Sequence, residues 1–443
     1  MSSARIVIVG AGAAGALVTV RLAEAATGAE VVLVDPCADA GRGVAYATGD
    51  PAHLLNTPAG RMSAHPADPD HFVGWASRHF GRIVGAGEFL PRGDFGMYLG
   101  EVLGGAIGVR RVRSRAVGVE ARRLLLSDGS TMAFDAAVFA FGAYPLDSGW
   151  APVAVRKHPR FVANPWAPGA LSAVPEAGDV LLVGTGLTMA DVAITLDRPG
   201  RTVHAVSRSG LLPRVHVPVA SARQSLPAVL PADLDSLRRL YLQRLRAGRD
   251  WRAAVDGLRP VTAQLWQGLS TADRARFLRE DLRHWEVRRH RMAPATAARL
   301  YRMRAAGRLR LYAGEVLDAS ADLRVVLSGG QRIAVGAVIG CTGTATDLSA
   351  VHDPLLRSMF DAGLARRGPC GLGLDTAADG RLLPTAAPLW TLGAMRKGNL
   401  WETTAFPEIR EQATTVAAAV AEHVARAAVR ESGPGCARVG VDG

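Results

Sequence analysis

Short apolar runs that lead into glycine-rich turns are the clearest pattern along this chain of 443 residues. The run 6–9 leads into the turn 10–15, and the run 180–183 leads into the turn 184–189. Runs of this length without a polar position predict strands buried on both faces, as in a parallel sheet. An alanine-rich stretch of helical character follows each turn. The pattern therefore predicts two strand–turn–helix units of the Rossmann type, about 170 residues apart.

Each turn has the residues that a dinucleotide needs. A first glycine permits the tight turn, and a second lets the backbone approach a pyrophosphate, which then lies at a helix N-terminus with free N–H groups. The residues concerned are Gly10, Gly12, Ala14 and Gly15 in the first turn, and Gly184, Gly186 and Thr188 in the second. Two such sites in one chain predict two dinucleotides. We assign FAD to the first site, because it opens the chain, and a nicotinamide dinucleotide to the second.

The residues at the ends of the second strands distinguish the two sites. Asp35 follows the run 31–34 and is placed to bond a ribose hydroxyl pair. The run 203–206 ends instead in Ser207 and Arg208, with no acid at its tip. Arg208 can pair with a 2′-phosphate and Ser207 can bond to it, so the second site predicts NADPH rather than NADH. The alternative is that Arg208 is one more surface arginine in an arginine-rich chain.

The remaining pattern predicts an α/β protein with two Rossmann-like dinucleotide-binding domains and a helical insert. An irregular loop is expected at 40–75, helices near 70–80 and 94–106, and strands at 122–126 and 131–141. The predicted domains are an FAD-binding domain over 1–150, an NAD(P)-binding domain over 151–335 with a helical insert at about 226–306, a return segment of the FAD-binding domain over 336–430 that starts with the strand at 338–343, and a disordered tail over 431–443.

Composition narrows the possible partners. The formal charge is +12, carried almost entirely by arginine, and no nucleic-acid-binding motif accompanies it, so no nucleic-acid partner is expected. The four cysteines form no C-x-x-C pair and no metal-ligand spacing, which predicts no redox disulfide, no metal and a reducing cytoplasm. The apolar N-terminus is interpreted as the first strand and helix rather than a signal peptide, and no apolar run is long enough to predict a membrane span.

Several longer motifs resemble a family of bacterial FAD/NAD(P)-binding proteins. The motifs are the segments 41–46, 54–58, 62–63, 184–191, 207–213, 288–291 and 402–410. More distantly, the layout is similar to that of the flavin-dependent monooxygenases with two dinucleotides, including the amino-acid N-hydroxylases. The segment Arg92-Gly93-Asp94-Phe95 resembles one that shapes the flavin site in those enzymes. Some relatives in actinobacterial pathways N-oxygenate amino acids such as aspartate.

The resemblance implies further cofactor-binding residues: Arg42, Asn56, Met62, Arg92, Gly142, Gly343, Gly393, Pro407, Glu408 and Ile409. A helix that opens at Pro407 is expected to direct its N–H groups toward the flavin. The alternative is that this helix serves only for ordinary C-terminal packing. One position departs from the pattern of many FAD enzymes, which place an aspartate after the glycine that corresponds to Gly393. This chain has Ala394 there, which argues against the disulfide-reductase branch.

These features favour an FAD- and NADPH-dependent monooxygenase that N-oxygenates an amine or amino acid in a biosynthetic pathway, with molecular oxygen and a small molecule as its substrates. Two alternatives stay open: a dehydrogenase or oxidase that inserts no oxygen, and a non-catalytic flavin-binding redox partner. The chemistry demands no acid, base or nucleophile, so no catalytic residue is predicted. The basic insert, with His284, Arg288, Arg289, His290 and Arg291, is predicted to cap the substrate side and to favour an anionic substrate. The alternative for this segment is a solvated basic helix face.

Overall fold

Two five-stranded parallel sheets and two three-stranded antiparallel sheets organise the protein. The computed structural model describes residues 3–145, 148–217, 226–227, 229–247, 250–345 and 347–432. The strands are β1 Arg5–Val9, β2 Glu30–Val34, β3 Val109–Val112, β4 Ala116–Glu120, β5 Arg123–Leu126, β6 Thr131–Ala133, β7 Ala136–Phe139, β8 Phe161–Val162, β9 Val180–Val183, β10 Val203–Ser207, β11 Leu309–Ala313, β12 Val316–Ala319, β13 Arg324–Leu327, β14 Arg332–Ala334, β15 Ala337–Gly340 and β16 Leu389–Thr391.

The helices form two groups: one group covers the faces of the sheets, and the other forms the helical insert. They are α1 Ala13–Glu24, α2 Gly43–Tyr46, α3 His71–Phe80, α4 Arg92–Gly104, α5 Val153–Arg156, α6 Leu187–Leu196, α7 Leu234–Ala247, α8 Trp251–Leu258, α9 Thr262–Gly268, α10 Thr271–Glu280, α11 Leu282–Arg289, α12 Pro294–Ala305, α13 Pro354–Asp361, α14 Lys397–Leu400 and α15 Phe406–Ser432. Short 3-10 helices lie at Ala59–Arg61, Ser148–Trp150, Ala170–Ala173, Arg259–Val261, Leu348–Ala350, Pro369–Gly371 and Gly393–Arg396.

The first parallel sheet has the strand order β16-β7-β1-β2-β3. Because side chains alternate along a strand, the two faces of β1 enter different cores. Ile6 and Ile8 pack with α1, α4 and α15 on one face, whereas Val7 and Val9 pack with the β4–β6 sheet and α13 on the other. Helices α1 and α15 lie side by side on the first of these faces. The apolar run that predicted β1 is therefore buried on both sides, as expected for a parallel strand.

The second parallel sheet repeats this plan, with the strand order β11-β10-β9-β15-β8. Leu182 on β9 packs with α6 and α12, and Leu181 packs on the opposite face with the β12–β14 sheet. In both halves a three-stranded antiparallel sheet precedes the strand that closes the nucleotide-binding unit. The predicted α/β class with two Rossmann-like domains is confirmed.

Two predictions about the strands were wrong. The expected strand 131–141 is two strands, β6 and β7, which lie in different sheets. Between them the chain leaves the β4–β6 sheet at Phe134 and joins the first parallel sheet, where Arg5 N donates a 2.7 Å hydrogen bond to Asp135 Oδ2. The strand predicted at 338–343 is β15, which lies in the second sheet between β9 and β8. The return to the first domain therefore starts after β15 rather than at residue 336.

The chain crosses between the two domains twice, and the two crossings lie side by side. Pro145 and Thr344 form an antiparallel bridge, and Ala345 N donates a hydrogen bond of 2.8 Å to Tyr144 O. Gly142 and Gly343 lie just before this bridge, one on each crossing. The two crossings are therefore hydrogen-bonded to each other between the domains.

The predicted helical insert is confirmed over its described residues, where it comprises α7 to α12. Helix α12 packs on α6 and belongs to the second domain, while α9 and α10 reach the segment around α14. Of the predicted tail, 431–443, the residues beyond Ser432 lie outside the described part of the chain. In the part of the chain that the structure describes, no helix has both the length and the apolar character needed to cross a lipid bilayer.

Candidate dinucleotide sites

The first glycine turn joins β1 to α1 and brings three chain segments into contact. Gly10 has a φ of +98°, and a Cβ there would lie 2.5 Å from Ala140 O, so only glycine fits. A Cβ on Gly15 would lie 1.8 Å from Gly10 O, which makes the close approach of the helix to the turn depend on glycine as well. Both residues are therefore required by the turn itself, before any ligand is considered.

Gly12 differs, because the protein around it has room for a side chain. A Cβ on Gly12 would meet Gly43 Cα at 3.4 Å, an ordinary contact, and the φ of Gly12 is −69°. Gly12 is the N-cap of α1, and no described side chain caps the helix, nor does an acidic residue stand in its first turn. No described side chain therefore competes for the N–H groups at the start of α1, where a pyrophosphate would bind.

The loop after β2 covers this turn. Gly41 N donates a 2.6 Å hydrogen bond to Ala11 O, and Asp35 Oδ2 accepts one of 2.6 Å from Ala11 N. Asp35 thus lies at the first site, where it also holds the turn in place. Arg42 is half-buried, and among the described residues its guanidinium has no ion-pair partner. Its charge is therefore available to a phosphate at the N-terminus of α1.

The C-terminal segment also reaches the first site. A Cβ on Gly393 would lie 3.8 Å from Ala14 Cβ, and Gly393 N donates a 3.0 Å hydrogen bond to Gln412 Oε1 on α15. Helix α15 starts at Phe406, one residue before the predicted start at Pro407. Pro407 and Ile409 are thus in its first turn.

Glu408, in the same first turn, is held by the insert. Its carboxylate accepts two bonds of 2.7 Å from Arg259 and one of 3.3 Å from Arg289. Arg289 lies 3.4 Å from Glu402 as well, and Trp285 Nε1 donates a 3.1 Å bond to Glu402 Oε1. Although burial acts to raise it, Arg289 and His290 hold the pKa of Glu402 below its usual value. This group of residues 259, 289, 402 and 408 is called the α11–α15 ion-pair cluster below.

The second glycine turn, between β9 and α6, repeats the geometry of the first. Gly184 has a φ of +109°, and a Cβ there would lie 2.2 Å from Cys341 O, just as Gly10 faces Ala140 O. A Cβ on Gly186 would have no described heavy atom within 4 Å. Helix α6 starts at Leu187 with no side-chain cap among the described residues, and Thr188 is half-buried in its first turn. The residues present therefore fit a second pyrophosphate.

The rim of the second site contains the two predicted residues and one that sequence reasoning missed. Ser207 Oγ lies 2.7 Å from Thr185 Oγ1, and Arg208 is exposed at the end of β10. Arg283, on α11, donates to Thr185 Oγ1 over 3.1 Å and to Leu211 O. Arg283 is 98 residues from Thr185 in sequence, so no local pattern signals its presence at this turn. The second site thus has two arginines, one exposed and one anchored.

Arg92 joins the two domains. Its guanidinium donates a 2.8 Å bond to Asp191 on α6, and the side chains are 18% and 8% exposed. Burial raises the pKa of Asp191 to about 6, with Arg92 acting in the opposite direction. Beside them, His53 Nε2 lies 2.8 Å from Thr195 Oγ1, and burial followed by the charge of Arg92 lowers the pKa of His53. Arg92 therefore lies at the contact between the first domain and α6.

Four other predicted cofactor residues have distinct surroundings. Met62 is 1% exposed, and its side chain packs in the hydrophobic core of the first domain. Asn56 is exposed, and its main-chain oxygen accepts a 3.0 Å bond from His216 Nε2. Gly142 and Gly343 lie on the paired crossings rather than in either glycine turn.

The predicted substrate residues do not form a free basic patch. Arg289 and Arg291 are buried and paired with acids, Arg289 in the α11–α15 ion-pair cluster and Arg291 with Asp256. Arg288 donates 2.9 Å to His284 O, while the His284 side chain is exposed. His290 is half-buried, and burial lowers its pKa. The alternative of a fully solvated basic face is therefore wrong for Arg289 and Arg291, but their charges are already matched within the protein.

Comparison with known proteins agrees with this geometry. Residues 7–144 match a family model described as FAD-NAD(P)-binding. No curated protein sequence matches the chain. The structure of reduced ornithine hydroxylase from Pseudomonas aeruginosa superposes with a TM-score of 0.62 at 16% identity, covering 96% of this chain and 100% of that chain.

Two further solved structures have the same fold. Ornithine N-hydroxylase from Kutzneria sp. 744 has a TM-score of 0.63 at 15% identity, covering 95% of this chain and 99% of that chain. L-lysine 6-monooxygenase from Pseudomonas syringae has a TM-score of 0.61 at 18% identity, covering 96% and 100%. The resemblance inferred from the motifs is confirmed: residues 7–144 carry an FAD-NAD(P)-binding domain, and the chain as a whole has the fold of the N-hydroxylating flavoprotein monooxygenases.

Proposed function

We propose that the protein is an FAD- and NADPH-dependent monooxygenase that oxidises the nitrogen of a small amine or amino acid. The observation that carries the proposal is the pair of equivalent glycine turns, each at the carboxyl end of the central strand of its own parallel sheet and each opening a helix that no described side chain caps. Both turns fit a pyrophosphate, and the paired crossings at Pro145 and Thr344 link the two domains to which the turns belong. One such turn is enough to bind one dinucleotide, so the second turn indicates a second dinucleotide.

Different residues of the chain would bind each of the two cofactors. When bound, FAD and NADPH supply hydride transfer and the activation of oxygen, which is cofactor chemistry rather than side-chain chemistry. The first turn, Asp35 and Arg42 would hold FAD, and the start of α15 would present its N–H groups to the flavin. The second turn, Arg208 and Arg283 would hold NADPH, with a charge for its 2′-phosphate.

Oxidation of nitrogen is favoured by the neighbours in structure, which are named for ornithine and lysine as substrates. A second redox centre of the disulfide type finds no support in the described residues. Cys37 is exposed, Cys370 is half-buried, and Cys341 is buried, where burial raises the pKa of its thiol. A thiol of raised pKa is a poor nucleophile for disulfide exchange.

The charge of the substrate is a finer part of the proposal. Arg289 and Arg291 already face acids, so among the predicted substrate residues it is Arg288, which has no ion-pair partner among the described residues, whose charge is left for an anionic substrate. A carboxylate on the substrate would pair with that charge, so an amino acid fits the proposal better than a simple amine.

The test uses purified holoprotein with NADPH and isotopically labelled O₂. A panel of free amines, basic amino acids and acidic amino acids is supplied, and products are analysed by mass spectrometry together with NADPH consumption and hydrogen peroxide. The expected result is one labelled oxygen on the nitrogen of one class of substrate. Oxidised product without the label identifies a dehydrogenase or oxidase, and hydrogen peroxide alone with every amine contradicts oxygen insertion into this panel.

A further inference from the structure

The polar side chains of α6 form a single stripe along the helix. Helix α6 is apolar except for Thr188, Asp191 and Thr195. Residues spaced by three and four positions lie on the same face of a helix, so these side chains line up from the first turn to the last. Thr188 belongs to the second glycine turn, and the next two residues of the stripe contact the first domain. The stripe therefore runs from the predicted NADPH site to the contact between the domains.

Thr195 is held by two side chains of the first domain. Thr195 Oγ1 donates a 2.6 Å hydrogen bond to Asp50 Oδ2, and His53 Nε2 lies 2.8 Å from the same threonine oxygen. Because the single hydroxyl proton of Thr195 is directed to Asp50, the second bond needs a proton on His53 Nε2, which donates it. His53 Nδ1 is then an acceptor, and the hydroxyl of Thr48, 2.7 Å away, donates to it. Each of these bonds thus has one donor and one acceptor.

The charges of the two first-domain residues agree with this assignment. Although burial acts to raise it, hydrogen bonds from Thr195 and Ala52 hold the pKa of Asp50 below its usual value. Burial, followed by the charge of Arg92, lowers the pKa of His53. At neutral pH Asp50 is therefore a carboxylate and His53 is uncharged, so the contact with Thr195 keeps the same hydrogen bonds throughout that range.

A second contact lies one helical turn away, and both contacts are shielded from water. The Arg92–Asp191 pair, 2.8 Å long, precedes Thr195 by one turn of α6. The ring of Trp166, from the second domain, meets the ring of His53 edge-on at 5.7 Å and lies 5.0 Å below the guanidinium of Arg92. Polar contacts in such a site are strong and costly to lose. Neither a shift of α6 along its axis nor a rotation leaves both contacts intact.

We propose that Thr195 is a positioning residue for the reduction of the flavin by NADPH, because its bonds to Asp50 and His53 set the place of α6, and with it of the second glycine turn, against the first domain. The inference rests on the proposed function, in which NADPH gives a hydride with its electron pair to the oxidised flavin and leaves as NADP⁺. Such a transfer needs reacting atoms about 3–3.5 Å apart, and a misplacement of about 1 Å costs up to about a hundredfold in rate. The rate of reduction, rather than the affinity for NADPH, therefore depends on Thr195.

The test separates the binding of NADPH from the reduction that follows it. Stopped-flow reduction of the flavin-loaded protein over a range of NADPH concentrations gives a dissociation constant and a limiting rate. Thr195→Val keeps the shape of the side chain but removes the hydroxyl, so it should lower the limiting rate by about five- to fiftyfold and leave the dissociation constant within about twofold of wild type. Thr195→Ser, which keeps the hydroxyl, should restore the limiting rate to within about threefold of wild type.

A second readout involves no turnover. NADP⁺ is titrated into the oxidised, flavin-loaded protein, calorimetry gives its affinity, and the visible difference spectrum of the flavin reports how the nicotinamide lies against it. In Thr195→Val the affinity should be retained and the difference spectrum altered. The matched control is Thr414→Val, which removes an exposed hydroxyl bonded to Arg410 O within its own helix, α15. This control should equal the wild type in both assays.

Asp50→Ala removes the same contact from the side of the first domain, so it should separate rate from affinity in the same way even where Thr195→Val does not fold. Flavin content and melting temperature establish folding. An unchanged limiting rate in either folded variant, a limiting rate in Thr195→Ser as low as in Thr195→Val, or an NADPH affinity that falls as far as the limiting rate overturns the proposal. No readout involves oxygen, so failure of the proposed oxygenation leaves them unaffected, whereas wild-type flavin that NADPH does not reduce overturns both.

Discussion

The protein around Gly12 leaves room for a side chain. A substitution at Gly12 therefore tests whether a ligand approaches the backbone there. A Cβ there meets only Gly43, at an ordinary contact distance, and the backbone angle suits any residue. We predict that Gly12→Val folds but retains FAD about tenfold less well or worse, because the branched side chain stands where the pyrophosphate approaches the helix. Flavin absorbance per protein after gel filtration measures the retention.

The matched control for this prediction is Gly87→Val. A Cβ on Gly87 has no described heavy atom within 4 Å, and Gly87 is exposed and belongs to neither turn. Its flavin content should equal that of the wild type. A full flavin complement in purified Gly12→Val would show that the first turn is not the FAD site.

Arg208 is the residue that is predicted to choose between NADPH and NADH. A charged hydrogen bond to the 2′-phosphate contributes about 1.5–3 kcal/mol, so Arg208→Ala should lower the preference for NADPH by roughly ten- to a hundredfold. The efficiency with NADH should barely change. Stopped-flow reduction of the flavin by each cofactor gives the two efficiencies separately.

Arg302→Ala, an exposed arginine on α12, serves as the control for the loss of surface charge. Arg283→Ala tests the anchored arginine in the same assay. Because Arg283 holds Thr185 and Leu211 in place, its loss should weaken both cofactors. Equal losses with NADPH and NADH in Arg208→Ala would assign that residue a role other than recognition of the 2′-phosphate.

At the scale of elements, the α11–α15 ion-pair cluster ties the insert to the first domain. Arg289→Ala leaves the buried carboxylate of Glu402 without its partner, which typically costs about 3–5 kcal/mol. We therefore predict a clear fall in melting temperature and faster hydrogen exchange in α11 and in the first turns of α15. Arg276→Ala, which breaks an exposed pair with Asp235, should change little. An unchanged melting temperature with a raised KM would instead assign Arg289 to the substrate.

The Arg92–Asp191 pair joins α4 to α6 and makes stability depend on pH. In the folded protein burial raises the pKa of Asp191 to about 6, above the usual 3.8 of an aspartate. The folded state therefore binds more protons than the unfolded state between these two pKa values, and stability falls as the pH rises through this window. Asp191→Asn lacks this titration. The melting temperature of the variant relative to wild type should therefore rise from pH 4 to 6 and level off above pH 7. A pH-independent difference would contradict the raised pKa.

The sequence predicted those elements whose signal is local. The strands at 6–9 and 180–183 and the turns after them depend on adjacent residues, and each was found where expected. Membership of a sheet is not local: β15 has the same apolar pattern whichever sheet it joins, so its placement in the second sheet could not be predicted. The hydrogen bond of Arg283 to Thr185 and the ion pair of Arg289 with Glu408 are formed across 98 or more residues of sequence and leave no periodic trace.

For the whole molecule, the structure is one plan used twice and then joined. Both halves place a glycine turn, an uncapped helix and a three-stranded sheet around a parallel sheet, and the bridge between Pro145 and Thr344 holds the crossings together. The two sites differ because each half has additional segments of its own. The first half also contains the loop around Arg42 and the start of α15, and the second half also contains the insert with Arg283.

Because the two sites are separate, they should be separable by mutation. Gly186→Val adds a side chain where no described atom lies within 4 Å of the Cβ, so the fold and the first site should be unaffected while the pyrophosphate approach to α6 is blocked. We predict a full flavin complement, reduction by dithionite at the wild-type rate, and reduction by NADPH slowed by about tenfold or more at subsaturating concentration. Gly87→Val should reduce normally with both reagents. Loss of flavin from Gly186→Val, or unaltered reduction by NADPH, would mean that the second turn is not an independent nicotinamide site.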